Sequence, residues 1–445
     1  MNNSRRRFLK SVTGTALAAP YIGWQTTSMG GPPSGELRFA NFGANGRAWS
    51  DLTEMMKVPN TSLVAVAEVD SARTDKLSEA YPDVPVYSDW RKLLDEKANE
   101  IDAVVVATPD HMHAPIAMSA MQLGKHVYCE KPITRTLHEV RQLVDFAAEN
   151  NLKTQMGNQL ASGSGNQTAV KLLQEGAIGK VIEVHSMNPK SWGSMDPLPA
   201  PSEPAPGTLD WDQWIGVGKM TEYLPREYAP SQWRKRIGYG TGTLGDMGCH
   251  IYHPWFMGLN QPDTITVTSH GPGPVDAHSW PLNGKVHHRM KGNAQTDGDF
   301  DFTWYDGTQL PPEQVATAVG AIENVPKSGS VVIGTSGAMV IPHGGAGIPT
   351  IYREGILSDE AIEAVPGEHH HTNFADAVRG EIDQSRTNFG YSGPMTEAVL
   401  LGTVAMQLPG ETLKWNAKAG KFTNSKAANG LIHDNYRKGW AVKGI

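Results

Sequence analysis

Cysteine is nearly absent: Cys129 and Cys249 are the only two in 445 residues, too few for a disulfide framework and without metal-ligand spacing. Both are expected to be buried small hydrophobes. Positive charge is short as well, with 39 Lys and Arg against 46 Asp and Glu and a net charge of −7. Such a chain carries no diffuse positive field for a polyanion, so no nucleic-acid partner is expected. No run approaches the roughly 18 apolar residues of a membrane span. What is present is ordinary globular material: 39% hydrophobic residues, with 47 Gly and 30 Pro that imply long ordered loops over a scaffold. At roughly 150 residues per domain the length allows two to three domains.

The first residues read as an address. Ser4-Arg5-Arg6-Arg7-Phe8-Leu9-Lys10 precedes a weakly apolar run from Ser11 to Trp24 that contains Ala16-Leu17-Ala18, the A-x-A pattern cut by signal peptidases. This resembles a twin-arginine export signal, with a solvated basic tail as the alternative. Residues 1–34 are thus expected to be signal peptide and leader, and the processed chain to be periplasmic with no membrane association.

From Gly35 the pattern is strand, glycine loop, helix, strand. Leu37 to Ala40 alternates into Asn41-Phe42-Gly43-Ala44-Asn45-Gly46-Arg47, and the apolar run Leu63 to Ala67 ends on Glu68. This is the spacing of a dinucleotide fingerprint with Asn41 at the first glycine position. Asn tolerates positive φ, so the turn is expected to survive. Gly43 should let a pyrophosphate approach the backbone, and Gly46 should let the helix near Arg47 pack closely and aim its amides at the phosphates. Taken alone, the glycines equally fit an ordinary turn. Glu68 supplies the carboxylate expected on the adenosine ribose, favouring NAD; Arg73 leaves NADP open. Helical 71–81, extended 84–87, helical 89–97 and buried 103–107 continue a doubly wound sheet, and Thr108-Pro109-Asp110-His111-Met112-His113 leaves a strand's carboxyl end, where such sheets bind ligands.

The order A-T-P-x-x-x-H, then Gly124-Lys125-His126-Val127-Tyr128-Cys129-Glu130-Lys131-Pro132, then Gly242 to His250 as G-x-x-x-D-x-G-x-H, resembles the Gfo/Idh/MocA oxidoreductases. The resemblance implies an α/β protein with an N-terminal Rossmann NAD-binding domain over 35–157. It also implies a C-terminal α+β substrate-binding and oligomerisation domain over 158–445 with an open, largely antiparallel sheet, and hence a homo-oligomer. Lys131 is implied as the active-site lysine, with Pro132 fixing the strand end. If 242–250 is helical, Asp246 and His250 lie at i and i+4 on one face, able to reach one substrate carbon. Met156-Gly157-Asn158-Gln159 is implied on the nicotinamide side, and Trp233-Arg234 near the nicotinamide ribose. The expected cofactor residues are Phe42, Gly43, Ala44, Asn45, Gly46, Glu68, Thr108, Pro109, His113, Glu130, Asn158, Trp233 and Arg234. The expected catalytic and substrate residues are Lys131, Asp246 and His250, with His253 added on the substrate side where many relatives have Asp.

Oxidising a secondary alcohol requires a base on the hydroxyl while hydride leaves the same carbon. His250 suits the base and Lys131 the developing alkoxide, as a cation or by sharing a proton with His250, while Asp246 orients the substrate or the histidine. The stretch Lys190-Ser191-Trp192-Gly193, then Trp211, Trp214, Tyr223, Tyr228, Trp233 and Tyr239, mixes aromatic and polar groups that suit a carbohydrate, though tryptophans also simply pack. The resemblance points the same way, to an NAD(P)-dependent oxidoreductase acting on a sugar, cyclitol or glycoside with tightly held cofactor. The alternative is a redox-neutral glycoside hydrolase or lyase working through a transient keto-sugar on the same residues. No metal is expected: His369-His370-His371 opens a helix and reads as a polar cap or substrate contact, and His287-His288 as surface strand.

Overall fold

The computed structural model describes residues 35–344 and 347–445; the expected leader over 1–34 lies outside the described residues. Two sheets organise the chain. The first has six parallel strands, β1 (Leu37–Phe42), β2 (Thr61–Ala67), β3 (Val86–Tyr87), β4 (Ala103–Val106), β5 (His126–Glu130) and β6 (Thr154–Gly157), in the order β3-β2-β1-β4-β5-β6. The helices between them are α1 (Arg47–Met55), α2 (Asp75–Ala80), α3 (Trp90–Lys97), α4 (His113–Gln122) and α5 (Leu137–Glu149). The Ala-Val-Val-Val of β4 is buried at every position, as a strand covered on both faces must be. Asp89 caps α3, and Thr136 with Glu139 forms a capping box on α5, so these boundaries are written locally. Strand order reverses between β1 and β4, which opens a crevice at their carboxyl ends.

After α6 (Ser164–Gln174) the chain builds a ten-stranded sheet from β7 (Val181–Asn188), β8 (Thr264–Ser269), β9 (Lys285–Met290), β10 (Thr296–Asp306), β11 (Gly329–Gly334), β12 (Gly337–Pro342), β13 (Thr350–Arg353), β14 (Ile356–Leu357), β15 (Leu413–Asn416) and β16 (Lys421–Phe422). Here β7 and β10 run parallel and the other neighbouring pairs antiparallel. The helices of this part are α7 (Trp211–Ile215), α8 (Gly242–Gly258), α9 (Glu313–Ala318), α10 (His370–Arg379) and α11 (Phe389–Met406). The α8 helix is buried along almost its whole length and packs against α6 and α11, which makes it a rigid mount for whatever it carries. Among the described residues no helix is long and apolar enough to cross a membrane.

The last long helix begins at Phe389 under an Asn388 cap and accommodates Pro394 inside its second turn. Two local expectations are corrected. Asn41 does not take positive φ; it lies within β1, one residue before its end, and its side chain donates to Gly43 O at 2.7 Å. The His287-His288 pair is split by strand alternation: His287 bonds Asp301, whereas His288 is fully buried beside Thr264.

Candidate active site

The crevice is a cleft lined at one end by the β1–α1 loop and at the other by Lys131 and Arg234. Gly43 has φ of 103°, and a Cβ there would stand 2.7 Å from Ala48 Cβ, so both conformation and space exclude a side chain. Gly46 differs from expectation: a Cβ would meet nothing, and its φ of 60° as residue before α1 is what requires glycine. No side chain caps α1, leaving its first amides for an anion. Thr108 lines the cleft with a buried Oγ1 that has no partner among the described residues. Uncapped amides, a close-approach glycine and an orphan hydroxyl fit a dinucleotide.

Phe42, Gly43, Asn45, Gly46, Glu68, Thr108, Pro109, His113, Glu130, Trp233 and Arg234 line this cleft. Glu68 accepts from the amides of Ala44 at 2.9 Å and Asp70 at 3.0 Å, and burial raises its pKa. Two oxygens have further lone pairs for ribose hydroxyls. Ala44 is buried and does not line the cleft, and its amide is given to Glu68. His113 sets its ring nitrogens 2.7 Å from Pro132 O and 2.8 Å from Thr108 O, tying two strand ends together.

At the far end four donors converge on one carboxylate. Lys131 Nζ donates to Asp246 Oδ1 at 2.8 Å and to its carbonyl at 2.9 Å; Arg234 Nε donates to Oδ1 at 3.1 Å. Lys190 Nζ and Trp192 Nε1 donate to Oδ2 at 2.9 and 2.8 Å. Burial resists ionising Asp246, but Lys131, Arg234 and Lys190 outweigh it and hold the carboxyl well below its ordinary range. Burial likewise pulls on the Lys131 ammonium, and Asp246 followed by Glu130 reverses that and raises its pKa. Lys131 is therefore a cation paired with Asp246, the first of the two states expected of it, and not a group sharing a proton with His250.

His250 stands one helical turn after Asp246 on α8, and its partner is Asn158, not Asp246. The Asn158 amide donates to Cys249 O at 2.8 Å, which leaves Asn158 Oδ1 to accept from His250 Nδ1 at 2.6 Å. This fixes the tautomer with the proton on Nδ1 and a lone pair on Nε2. Burial first, then the charge on Lys131 and the neighbouring His343, keep the imidazole pKa well below its usual value. A neutral histidine with a free Nε2 is a poised base.

Other expected residues lie elsewhere. Asn158 is fully buried and positions His250 without lining the cleft. Gln159 holds Glu130 at 2.6 Å and Tyr128 OH at 2.8 Å, behind the cleft wall. His253 turns toward α11, where its Nδ1 lies 2.7 Å from Tyr391 OH, and burial pushes its pKa down to about 3. It is a core group, as a helical position three residues on and facing a packed neighbour must be. In the histidine run, His369 caps α10, while His370 meets Ser162 at 2.9 Å and His371 stacks on Tyr128. Trp211 stacks on Trp214 with centroids 4.8 Å apart, and Tyr228 and Tyr239 complete a packed aromatic cluster. Both cysteines are buried and free.

Two site residues escaped the sequence reading. Asp110 is buried in the cleft lining, accepting from Thr241 at 2.6 Å; its place between Pro109 and His113 was the available signal. His343, just after β12, sits with its ring 5.7 Å from that of His250, and no motif announced it.

Residues 37–158 match the family model for the NAD-binding Rossmann fold of the GFO_IDH_MocA oxidoreductases. Among curated relatives, levoglucosan dehydrogenase of Pseudarthrobacter phenanthrenivorans is 30% identical over 166 residues, 37% of this chain and 34% of that protein. Glycosyl hydrolase family 109 protein 1 of Shewanella sp. MR-4 is 25% identical over 172 residues, 37% of each. These alignments thus span little more than a third of the relatives' length. In fold the match is broader: an inositol dehydrogenase homologue of Azotobacter vinelandii, solved with NADH and myo-inositol, superposes with a TM-score of 0.57 at 18% identity, covering 85% of this chain and 98% of that one.

Proposed function

We propose that this chain is an exported NAD-dependent oxidoreductase acting on a secondary alcohol of a sugar, cyclitol or glycoside. The observation that carries the reading is that Lys131, in the lining of a dinucleotide cleft, pairs with Asp246, one helical turn before a His250 whose tautomer Asn158 fixes. NAD, when bound, supplies the hydride acceptor. Phe42, Gly43, the α1 amides and Glu68 hold the nucleotide, and Glu68 disfavours a 2'-phosphate. Lys131 donates to the substrate oxygen and stabilises charge developing there, while Asp246 keeps the ammonium charged and aimed. His250 Nε2 takes the hydroxyl proton. Export is supported by the Arg5-Arg6 motif, and a homo-oligomer by the exposed Ile356 and Leu357 on the edge strand of the second sheet.

The partial match to a family 109 glycosyl hydrolase favours a second reading on the same groups, in which oxidation acidifies a neighbouring C–H, elimination breaks the glycosidic bond and the alcohol is then restored. Incubating the NAD-loaded protein with p-nitrophenyl glycosides and with free sugars, without added cofactor, separates the two. Keto-sugar and absorbance at 340 nm indicate a dehydrogenase; released phenol without net reduction indicates the redox-neutral route. Neither product would remove both.

A further inference from the structure

The chemical end of the cleft is overprovided with positive charge. Lys131, Lys190 and Arg234 all bond the single carboxylate of Asp246, so the cations that touch it outnumber it three to one. Asp110 and Glu130 lie within electrostatic reach of Lys131, yet Asp110 is bonded to Thr241 and Glu130 to Gln159. Lys190 has neither as a partner. Besides Asp246, it acts on His250 and His343, two imidazoles whose protonation it opposes. It does not line the nucleotide cleft, so it is not placed for the cofactor's phosphates.

Arg234 presents the second half of the argument. Its guanidinium carbon lies 4.2 Å from the Trp233 ring centroid and 5.7 Å from that of Trp192, which orients the group between two indoles. Its Nε is spent on Asp246, and its terminal amino groups bond no protein acceptor among the described residues while the side chain lines the cleft. Hydroxyl groups can be held by neutral donors. A pre-oriented guanidinium fork with an ammonium beside it is the arrangement that matches a carboxylate.

Resting on the oxidoreductase reading above, we propose that the substrate is an acidic sugar whose carboxylate is held by Lys190 and the free edge of Arg234, next to the carbon served by Lys131 and His250. The test is calorimetric titration of the NAD-loaded protein with glucuronate, galacturonate and mannuronate, each against glucose, galactose and mannose, with absorbance at 340 nm followed in parallel. At least one uronate should bind at least about tenfold more tightly than its neutral counterpart, the worth of a charged hydrogen bond. Lys190→Met should weaken uronate binding at least about tenfold more than binding of the neutral counterpart, and Lys190→Arg should restore the difference. Lys190 is half-exposed, and a melting curve on each variant separates lost recognition from lost folding. Neutral sugars binding as tightly as every acid, an equal loss of both in Lys190→Met, or no binding by any sugar in the panel would overturn the proposal. Neutral sugars that reduce bound NAD while the acids do not bind would sink the acidic substrate and keep the oxidoreductase. Lys190-dependent uronate binding with neither reduction nor bond cleavage would do the reverse.

Discussion

The two ends of the cleft are made of different material. The nucleotide end is built mainly from backbone: two glycines, the first amides of α1 and one carboxylate that itself organises the loop. The chemical end is built from side chains delivered by four separate stretches, the end of β5, the loop after β7, the segment before α8, and α8 itself. The first is a shape that holds whatever has a pyrophosphate. The second is an electrostatic device in which cations surround one acid and a histidine is kept neutral. Binding and chemistry should therefore fail independently.

The largest expected separation comes from Lys131→Met. Turnover of the bound nicotinamide should fall by about a thousandfold, the scale of losing a charged stabiliser of an oxyanion. Nucleotide content after gel filtration should stay at the wild-type level. At the other end, Gly43→Val drives a side chain into Ala48 at positive φ, and NAD affinity, measured by calorimetry on the stripped protein, should drop by about a hundredfold or more. If Lys131→Met lost the nucleotide, or Gly43→Val kept it, the division between the ends would be wrong.

The pH profile sharpens the chemical half. His250 must be neutral to accept a proton, and its pKa is depressed by burial and by Lys131. The acid limb of kcat/KM should thus lie below about pH 6.5, the ordinary histidine value. In Lys131→Met that limb should move upward, because a neighbouring positive charge has gone. An acid limb above neutrality in the wild type would contradict the assignment. The smallest kinetic effect is expected from His253→Ala. It leaves the buried Tyr391 hydroxyl without its imidazole partner and should cost about 1–3 kcal/mol in denaturant unfolding. Turnover of the folded enzyme should be unchanged.

Legibility follows the same division. Gly43, Gly46 and Glu68 could be read because a backbone-made site imposes short, fixed spacings, and β4 because a strand buried on both faces is apolar throughout. Asn41 shows the limit: its sequence position was right, but the strand simply continues through it and the side chain takes over the loop. Lys131 and His250 were accessible through motif order, but their partners were not. That Asp246 serves Lys131 while Asn158 serves His250 depends on how β5, α8 and the end of β6 pack, which no local pattern encodes. His253 was misplaced because helical spacing gives direction around an axis without saying which neighbour occupies it. His343 reaches the site from a loop far along the chain with no motif to announce it, and Lys190, legible only as part of an aromatic and polar stretch, gains its place beside Asp246 from the packing.

The central claim is that substrate carbon, nicotinamide, Lys131 and His250 share one locus. It is tested most directly by turning over a sugar deuterated at carbon, drawn from the panel above, and weighing the nucleotide released on denaturation. The account predicts NADH one mass unit heavier from wild type and unlabelled NAD from Lys131→Met. Unlabelled nucleotide from wild-type protein that has consumed the deuterated sugar would contradict it.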